Sequence, residues 1–202
     1  MLTVCVAAAA GKEAKARYEA LVERLRSGDQ TVDVNELRIA AGDGGIVSGV
    51  DARHKLMAAA RNRDFKKMEE AADAVLKSNY ADLDAHFFAK IAAKELGKPE
   101  KAEFHDWVET GLLKSLRSSG DGRSAATAIK VISVDEEYFI LRMMDQLLKS
   151  QALSKCEGKP CDIMTTTDRE SEQEHTWYFN VEVPMRRMTE AIEGNQKREP
   201  KK

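Results

Sequence analysis

Asp64-Phe65-Lys66-Lys67-Met68-Glu69-Glu70-Ala71-Ala72-Asp73-Ala74-Val75-Leu76 carries the clearest pattern in the chain. Phe65, Met68, Ala72, Val75 and Leu76 recur at spacings of three and four, which places them on one face of a helix. Asp64 stands where its carboxylate can cap the first free amides. The neighbouring stretches have the same form. Asp51 can cap a helix bearing Leu56, Met57 and Ala60, and Asp82 can cap one with Leu83, Phe87 and Ile91 inward and Gly97 past its end. Pro99 suits the first turn of a fourth helix, because a missing N–H costs nothing there. That helix runs through Phe104, Trp107, Val108 and Leu112 to about Leu116.

The turn segments Arg61-Asn62-Arg63-Asp64-Phe65 and Leu96-Gly97-Lys98-Pro99-Glu100 resemble each other and lie about 35 positions apart, the period of tetratricopeptide-like helix pairs. Only about two such units fit, whereas a stable solenoid usually needs about three. Ordinary helical hairpins are therefore the other reading. Toward the N-terminus, Tyr18, Leu21, Val22 and Leu25 predict a helix ended by Ser27-Gly28-Asp29. Asp33 with Glu36 forms an acidic relative of the capping box and opens a short helix carrying Val34, Leu37 and Ala41. Gly42-Asp43-Gly44-Gly45 reads as a loop.

Beyond Ser118-Ser119-Gly120-Asp121-Gly122 the pattern changes. Ile129-Lys130-Val131-Ile132 suits a short strand, and Ser133-Val134-Asp135-Glu136 is a capping box for a helix bearing Tyr138, Leu141, Met144 and Leu148. Ala152 to Cys156, Cys161 to Thr167 and Glu174 to Val181 read as strands. In the last of these Trp177, Phe179 and Val181 alternate with polar neighbours. Pro184 then ends pairing and begins a short helix through Met185 and Met188. The expected class is α+β: tetratricopeptide-like helical hairpins followed by a small antiparallel β-meander.

The 202 residues suit one globular domain over 16–190, with a helical part at 16–117 and an α/β part at 124–190. Residues 191–202 read as a disordered tail. A formal charge of −2 gives no reason to bind nucleic acid, whose phosphates demand a basic face. No stretch approaches the roughly 20 apolar residues of a membrane span. Residues 1–10 end in the small residues Ala8-x-Ala10 after a short apolar run, like the last part of a secretory signal. This predicts a periplasmic or secreted protein, and a cytoplasmic one if the run is not a signal.

Several motifs in this order are familiar together: Tyr18-Glu19-x-Leu21, Asp33-x-x-Glu36-Leu37-Arg38, Gly120-Asp121-Gly122-Arg123-Ser124-x-x-Thr127-Ala128, Val131-Ile132-Ser133-Val134-Asp135-Glu136-Glu137-Tyr138 and Trp177-Tyr178-Phe179-Asn180-Val181. They resemble the bacterial domain-of-unknown-function family 4919 over roughly Tyr18 to Pro184. The most specific part lies between Gly120 and Tyr138. The resemblance implies a short exported bacterial protein and supplies no activity. It departs from the family at Gly42 to Val50, where glycines replace the usual tyrosines.

Candidate chemistry is sparse. Cys156 and Cys161 flank Glu157-Gly158-Lys159-Pro160, so pairing of the flanking strands would bring them within disulfide reach. An oxidising compartment would favour that bond, and in the cytoplasm the two would be reduced thiols. No second Cys pair exists to complete a zinc site, and none of His54, His86, His105 and His175 has metal-ligand spacing. His105-Asp106 beside Trp107 could relay protons if it lined a cleft, and His175 beside Trp177 is similar. The plainer reading puts both on polar faces. Gly120 to Ser124 suggests a phosphate cradle but lacks the lysine of a P-loop, and turn chemistry explains it better. Asp135, Glu136 and Glu137 could ligate a metal, yet acidic groups at a helix start need no metal to explain them. No catalytic, cofactor or metal residue is therefore assigned. The expected role is a non-enzymatic domain that binds a protein or peptide partner. The alternative is a hydrolase using a histidine and a carboxylate in a groove between helices and sheet.

Overall fold

The structure, a computed structural model, describes residues 2–196, with side chains from Ala9 to Ile192. It divides into two compact units at the Ser115–Leu116 junction. The first contains α1 (Leu2–Arg26), α2 (Val34–Asp43), α3 (Val50–Arg61), α4 (Phe65–Ser78), α5 (Leu83–Glu95) and most of α6 (Pro99–Arg117). Leu2 to Ala10, read as a signal remnant, are continuous with α1.

Three helix ends in this unit close alike. The amides of Ser27, Gly28 and Asp29 donate to the carbonyls of Glu23, Leu25 and Arg24. Asn62, Arg63 and Asp64 repeat this on Ala58, Ala60 and Ala59, and Leu96, Gly97 and Lys98 repeat it on Ala92, Lys94 and Ala93. The central residue is left-handed each time (Gly28 φ 89°, Arg63 φ 52°, Gly97 φ 69°), as this cap requires. The similarity of the two inter-helix turns is thus a similarity of backbone hydrogen bonding, and a third instance precedes them. Asp33, Asp64 and Asp82 are the N-caps of α2, α4 and α5, accepting from Asn35, Lys67 and Ala85.

Four local expectations are corrected in this unit. Gly49, not Asp51, is the N-cap of α3, and Asp51 sits in its first turn. Gly42 and Asp43 belong to α2, because Gly44 must lie against α1: a Cβ there would stand 2.9 Å from the Lys15 nitrogen. The buried face of α5 is Ala85, His86, Ala89, Ala92 and Ala93, with Phe87 only half-buried. In α6, Ala102, His105, Val108 and Leu112 are buried while Phe104 and Trp107 are half-buried. In α5 small residues fill the buried face and Phe87 lies at its edge, where periodicity alone had put it at the centre.

The second unit has β1 (Ile129–Lys130), α7 (Val134–Met143), β2 (Gln146–Cys156), β3 (Lys159–Asp168), β4 (Glu174–Asn180) and α8 (Glu182–Gln196). β2, β3 and β4 form an antiparallel meander, as expected. β1 adds to β4 in parallel, so the sheet, ordered β1-β4-β3-β2, is mixed rather than wholly antiparallel. Met164, Trp177 and Phe179 are buried together on one face, in paired positions of β3 and β4. The capping box is replaced by a different contact: the Ser133 side chain makes no cap hydrogen bond, and Glu136 accepts instead from the Ile132 amide at 2.8 Å. α7 stops at Met143 because Asp145 turns left-handed (φ 52°). It buries Phe139, Ile140 and Leu141, while Tyr138 and Met144 are exposed and Leu148 already belongs to β2. Residues 191–196, assigned to a tail by composition, continue α8, and 197–202 lie outside the described residues.

Candidate functional site

Asn79, Tyr80, Ala81 and Asp82 join α4 to α5 and are all buried. A buried connection must satisfy its backbone internally. The Tyr80 amide donates to the Tyr18 hydroxyl of α1 at 2.6 Å, and the Ala81 amide donates to Asn79 Oδ1 at 3.0 Å. Ser48 donates to Asp82 at 2.5 Å, and Asn79 Nδ2 donates to Ser48 at 3.1 Å. Arg53 of α3 then bonds Asp82 with one guanidinium nitrogen and Asp84 with the other, the latter at 2.6 Å. Burial raises the pKa of Tyr18 and Tyr80, so both phenols stay neutral.

The Tyr80 carbonyl accepts from His86 Nε2 at 2.9 Å, and His86 Nδ1 lies 3.0 Å from His105 Nδ1. A carbonyl cannot donate, so His86 carries its proton on Nε2 and presents a bare Nδ1. His105 must then donate from its own Nδ1, leaving its Nε2 unprotonated. Burial, helped by the other imidazole, lowers His86 to about 3. Burial and nearby Lys101 lower His105 to about 4. Both rings are neutral near pH 7, and the tautomers follow from the network.

Two hollows adjoin this connection. One of about 570 Å³ lies among α1, residues 45–47 and the end of α4, with Tyr18, Val22, Ile46 and Val47 in its wall. The other, about 490 Å³, is lined by Leu76, Tyr80, Phe104 and His105, with Asp73 and Lys101 at its edge. Arg26 and Lys77 line both. Lys101 is paired with Glu69 at 2.9 Å and with Asp73 at 3.3 Å. Arg26 donates to the Leu76 carbonyl at 3.4 Å and lies 5.5 Å from the Tyr80 ring centroid, and among the described residues its cationic group meets no carboxylate.

The proposed relay His105-Asp106 is not assembled. Asp106 turns to Lys90 at 3.1 Å, while His105 turns to His86. Among the described residues no histidine side chain is hydrogen-bonded to a carboxylate or a hydroxyl. His54 is exposed, and His175 is half-buried on the sheet. Sequence reading missed His86, Tyr18 and the 79–82 connection, whose one legible sign was Asp82 as a cap.

In the second unit Cys156 and Cys161 are disulfide-bonded, with Cα atoms 5.4 Å apart. Glu157 (φ 50°) and Gly158 (φ 79°) form a two-residue hairpin loop. Cys156 therefore stands opposite Lys159 and Cys161 opposite Ser154, which makes the cysteines diagonal neighbours on one face. They pack with Ala128, Ile163 and Tyr178. The Gly120–Ser124 segment is a turn locked to β4: the Gly122 carbonyl accepts from the Tyr178 amide at 3.0 Å, and Arg123 covers the Trp177 ring at 4.3 Å. The amides of Gly120, Gly122 and Arg123 are used within the protein, on the Arg117 and Thr127 carbonyls and the Asp121 side chain.

Asp135, Glu136 and Glu137 also separate in role. No three His, Cys, Asp or Glu side chains among the described residues are grouped to hold a metal. Glu136 is tied to the Ile132 amide, whereas Glu137 is fully buried and no donor reaches either of its oxygens. Asp162 is its neighbour, and Gln151 holds that carboxylate at 2.6 Å. Burial above all, then the negative charges of Asp162 and Glu136, push Glu137 up to about 8. A proton on Glu137 is what allows the two carboxyl groups to share a hydrogen bond. The folded state thus holds a proton that the unfolded chain releases near its ordinary pKa of 4.5. Stability falls as pH rises from about 4.5 to about 8 and levels off above that. Glu137→Gln keeps a donor toward Asp162 without an ionisable proton. In urea unfolding followed at Trp177, it should remove about 2–4 kcal/mol of the loss between pH 5 and pH 9. An unchanged pH slope in the variant would contradict a protonated Glu137.

The profile of the domain-of-unknown-function family DUF4919 matches residues 50–190. The motifs around Tyr18 and Asp33 lie outside that span, and those from Gly120 to Val181 lie within it. Comparison with the curated proteins and with the solved structures gives no match. With well over half of its 202 residues covered by that profile, the chain belongs to the DUF4919 family.

Proposed function

We propose that this DUF4919 protein is a non-enzymatic binding domain of the bacterial envelope or exterior, whose helical unit receives a peptide or protein segment. The observation that carries the reading is the pair of adjoining hollows in that unit. Their walls mix apolar side chains with Arg26, held by the Leu76 carbonyl and the Tyr80 ring, and with the exposed Lys77, and neither cation pairs with a carboxylate among the described residues. Apolar surface beside a few oriented polar groups is the ordinary composition of a recognition site. A hydrolase would need a histidine set against a carboxylate and a hydroxyl, and neither His105 nor His175 has those partners. The helical-hairpin architecture adds support by analogy.

A panel of unrelated acetylated pentapeptides titrated into the isotope-labelled full chain tests the binding role. Shifts should concentrate at α1, residues 45–47 and the end of α4. Shifts confined to the second unit, or none with any peptide, would contradict it.

Export is supported by the small-residue run that ends at Ala10 and by the cysteine pair of the β2–β3 hairpin. Intact mass of the protein expressed from its native locus should show a chain starting near Gly11 with one intramolecular disulfide. A chain retaining Met1 and carrying free thiols would overturn the export reading.

A further inference from the structure

The hollow lined by Tyr80 and Phe104 has a histidine in its wall, which the other hollow lacks. His105 is 4% exposed and its Nδ1 is committed to His86, yet its Nε2 lone pair has no partner among the described residues. Tyr80 is 8% exposed, and its hydroxyl likewise makes no hydrogen bond. Both residues line the hollow, so the His105 lone pair is open to a donor that enters it. The floor is apolar, from Leu76 and the Phe104 ring. At the rim Lys101 is neutralised by Glu69 and Asp73, which leaves Arg26 and Lys77 as the cations facing no carboxylate. The hollow therefore offers one hydrogen-bond acceptor, an apolar floor and a positive edge.

We propose that this hollow binds an N-acylated amino-acid carboxylate, the chemistry shared by the C-terminal residue of a peptide and a free N-acyl amino acid. The ligand's apolar side chain occupies the floor, its amide N–H donates to His105 Nε2, and its carboxylate lies between Arg26 and Lys77. Arg26 is already fixed over the Tyr80 ring, so little side-chain freedom is lost when it meets an anion. The inference deepens the peptide-binding reading of the same unit and rests on it.

The test uses the full chain, labelled with 15N, and four probes: N-acetyl-phenylalanine, its primary amide, an acetylated pentapeptide ending in phenylalanine, and that pentapeptide with its C-terminus amidated. In the free protein, His105 should show the Nδ1–H tautomer. On adding either acid, the His105 Nε2 resonance should move toward the hydrogen-bonded position, with shifts at the Tyr80 and Phe104 amides. Amidation should weaken binding about tenfold or more, the value of a charged contact. Lys77→Ala, an exposed change that leaves the core intact, should weaken the acids about threefold and spare the amides. A pentapeptide acid that binds more tightly than N-acetyl-phenylalanine identifies a peptide terminus as the natural source, and equal binding identifies the free acid. Acids and amides of equal affinity, or an unmoved His105 Nε2, overturn the inference. If the amidated peptide shifts only the α1–α4 hollow, the general binding role stands and this assignment fails. If neither hollow responds, both fail.

Discussion

Four consecutive peptide units between α4 and α5 lie out of water, and their polar groups have to be answered from inside the protein. The Asn79 amide bonds the Val75 carbonyl, Tyr80 the Tyr18 hydroxyl, Ala81 the Asn79 side chain, and Asp82 the Asn79 carbonyl. His86 completes the set on the Tyr80 carbonyl. Leaving one such group unpaired costs about 1–3 kcal/mol, a sizeable fraction of a domain's stability. The partners come from α1, α4, α5 and the connection itself, while Ser48, just before α3, and Arg53 of α3 hold Asp82. One short connection thereby sets where three helices meet the link. The same bonds dictate the site. Because the Tyr80 carbonyl consumes the His86 proton, His105 must give its Nδ1 proton to His86, and the free lone pair is left in the hollow.

The second unit is governed by a different constraint. Its core places Glu137 of α7 against Asp162 of β3; the Gln151 amide answers Asp162, while no donor among the described residues reaches Glu137. A shared proton is the arrangement that avoids two buried like charges. The cost of that proton grows with pH, so the sheet unit and the helical unit respond to pH through unrelated groups. The hairpin that carries Cys156 and Cys161 depends instead on a loop whose two residues both have positive φ.

Much of the architecture was legible from local signals. Asp33, Asp64 and Asp82 stand at their helix starts because a capping carboxylate is a short-range interaction, and the Trp177–Phe179–Val181 alternation shows directly in the burial of β4. Several of the errors turned on contacts between helices, and others on a shift of a few residues in a helix start. Phe87 and Phe104 looked like core by size, but the centre went to alanines in α5 and to His105, Val108 and Leu112 in α6. Ser133 and Glu136 had the spacing of a capping box, yet Glu136 reaches one residue further back, to the Ile132 amide. β1 was recognised as a strand, while its parallel register with β4 could not be read from four β-branched or charged residues. The site was the least legible part: Tyr18 and Tyr80 are 62 positions apart, and His86 and His105 are 19 apart. No motif spacing encodes either pair. The disulfide candidates lay close in sequence, so their proximity was foreseeable, and only their diagonal placement required the register.

Hydrogen exchange at the Tyr80 amide tests the central role of the 79–82 connection most directly. The account predicts that this amide, although it lies between helices, exchanges as slowly as the core amides of α4 and α5. It also predicts that Tyr18→Phe, which removes only the accepting hydroxyl, speeds exchange there far more than at α2. Exchange at the rate of an exposed loop in the unaltered protein, or no change in Tyr18→Phe, would contradict it.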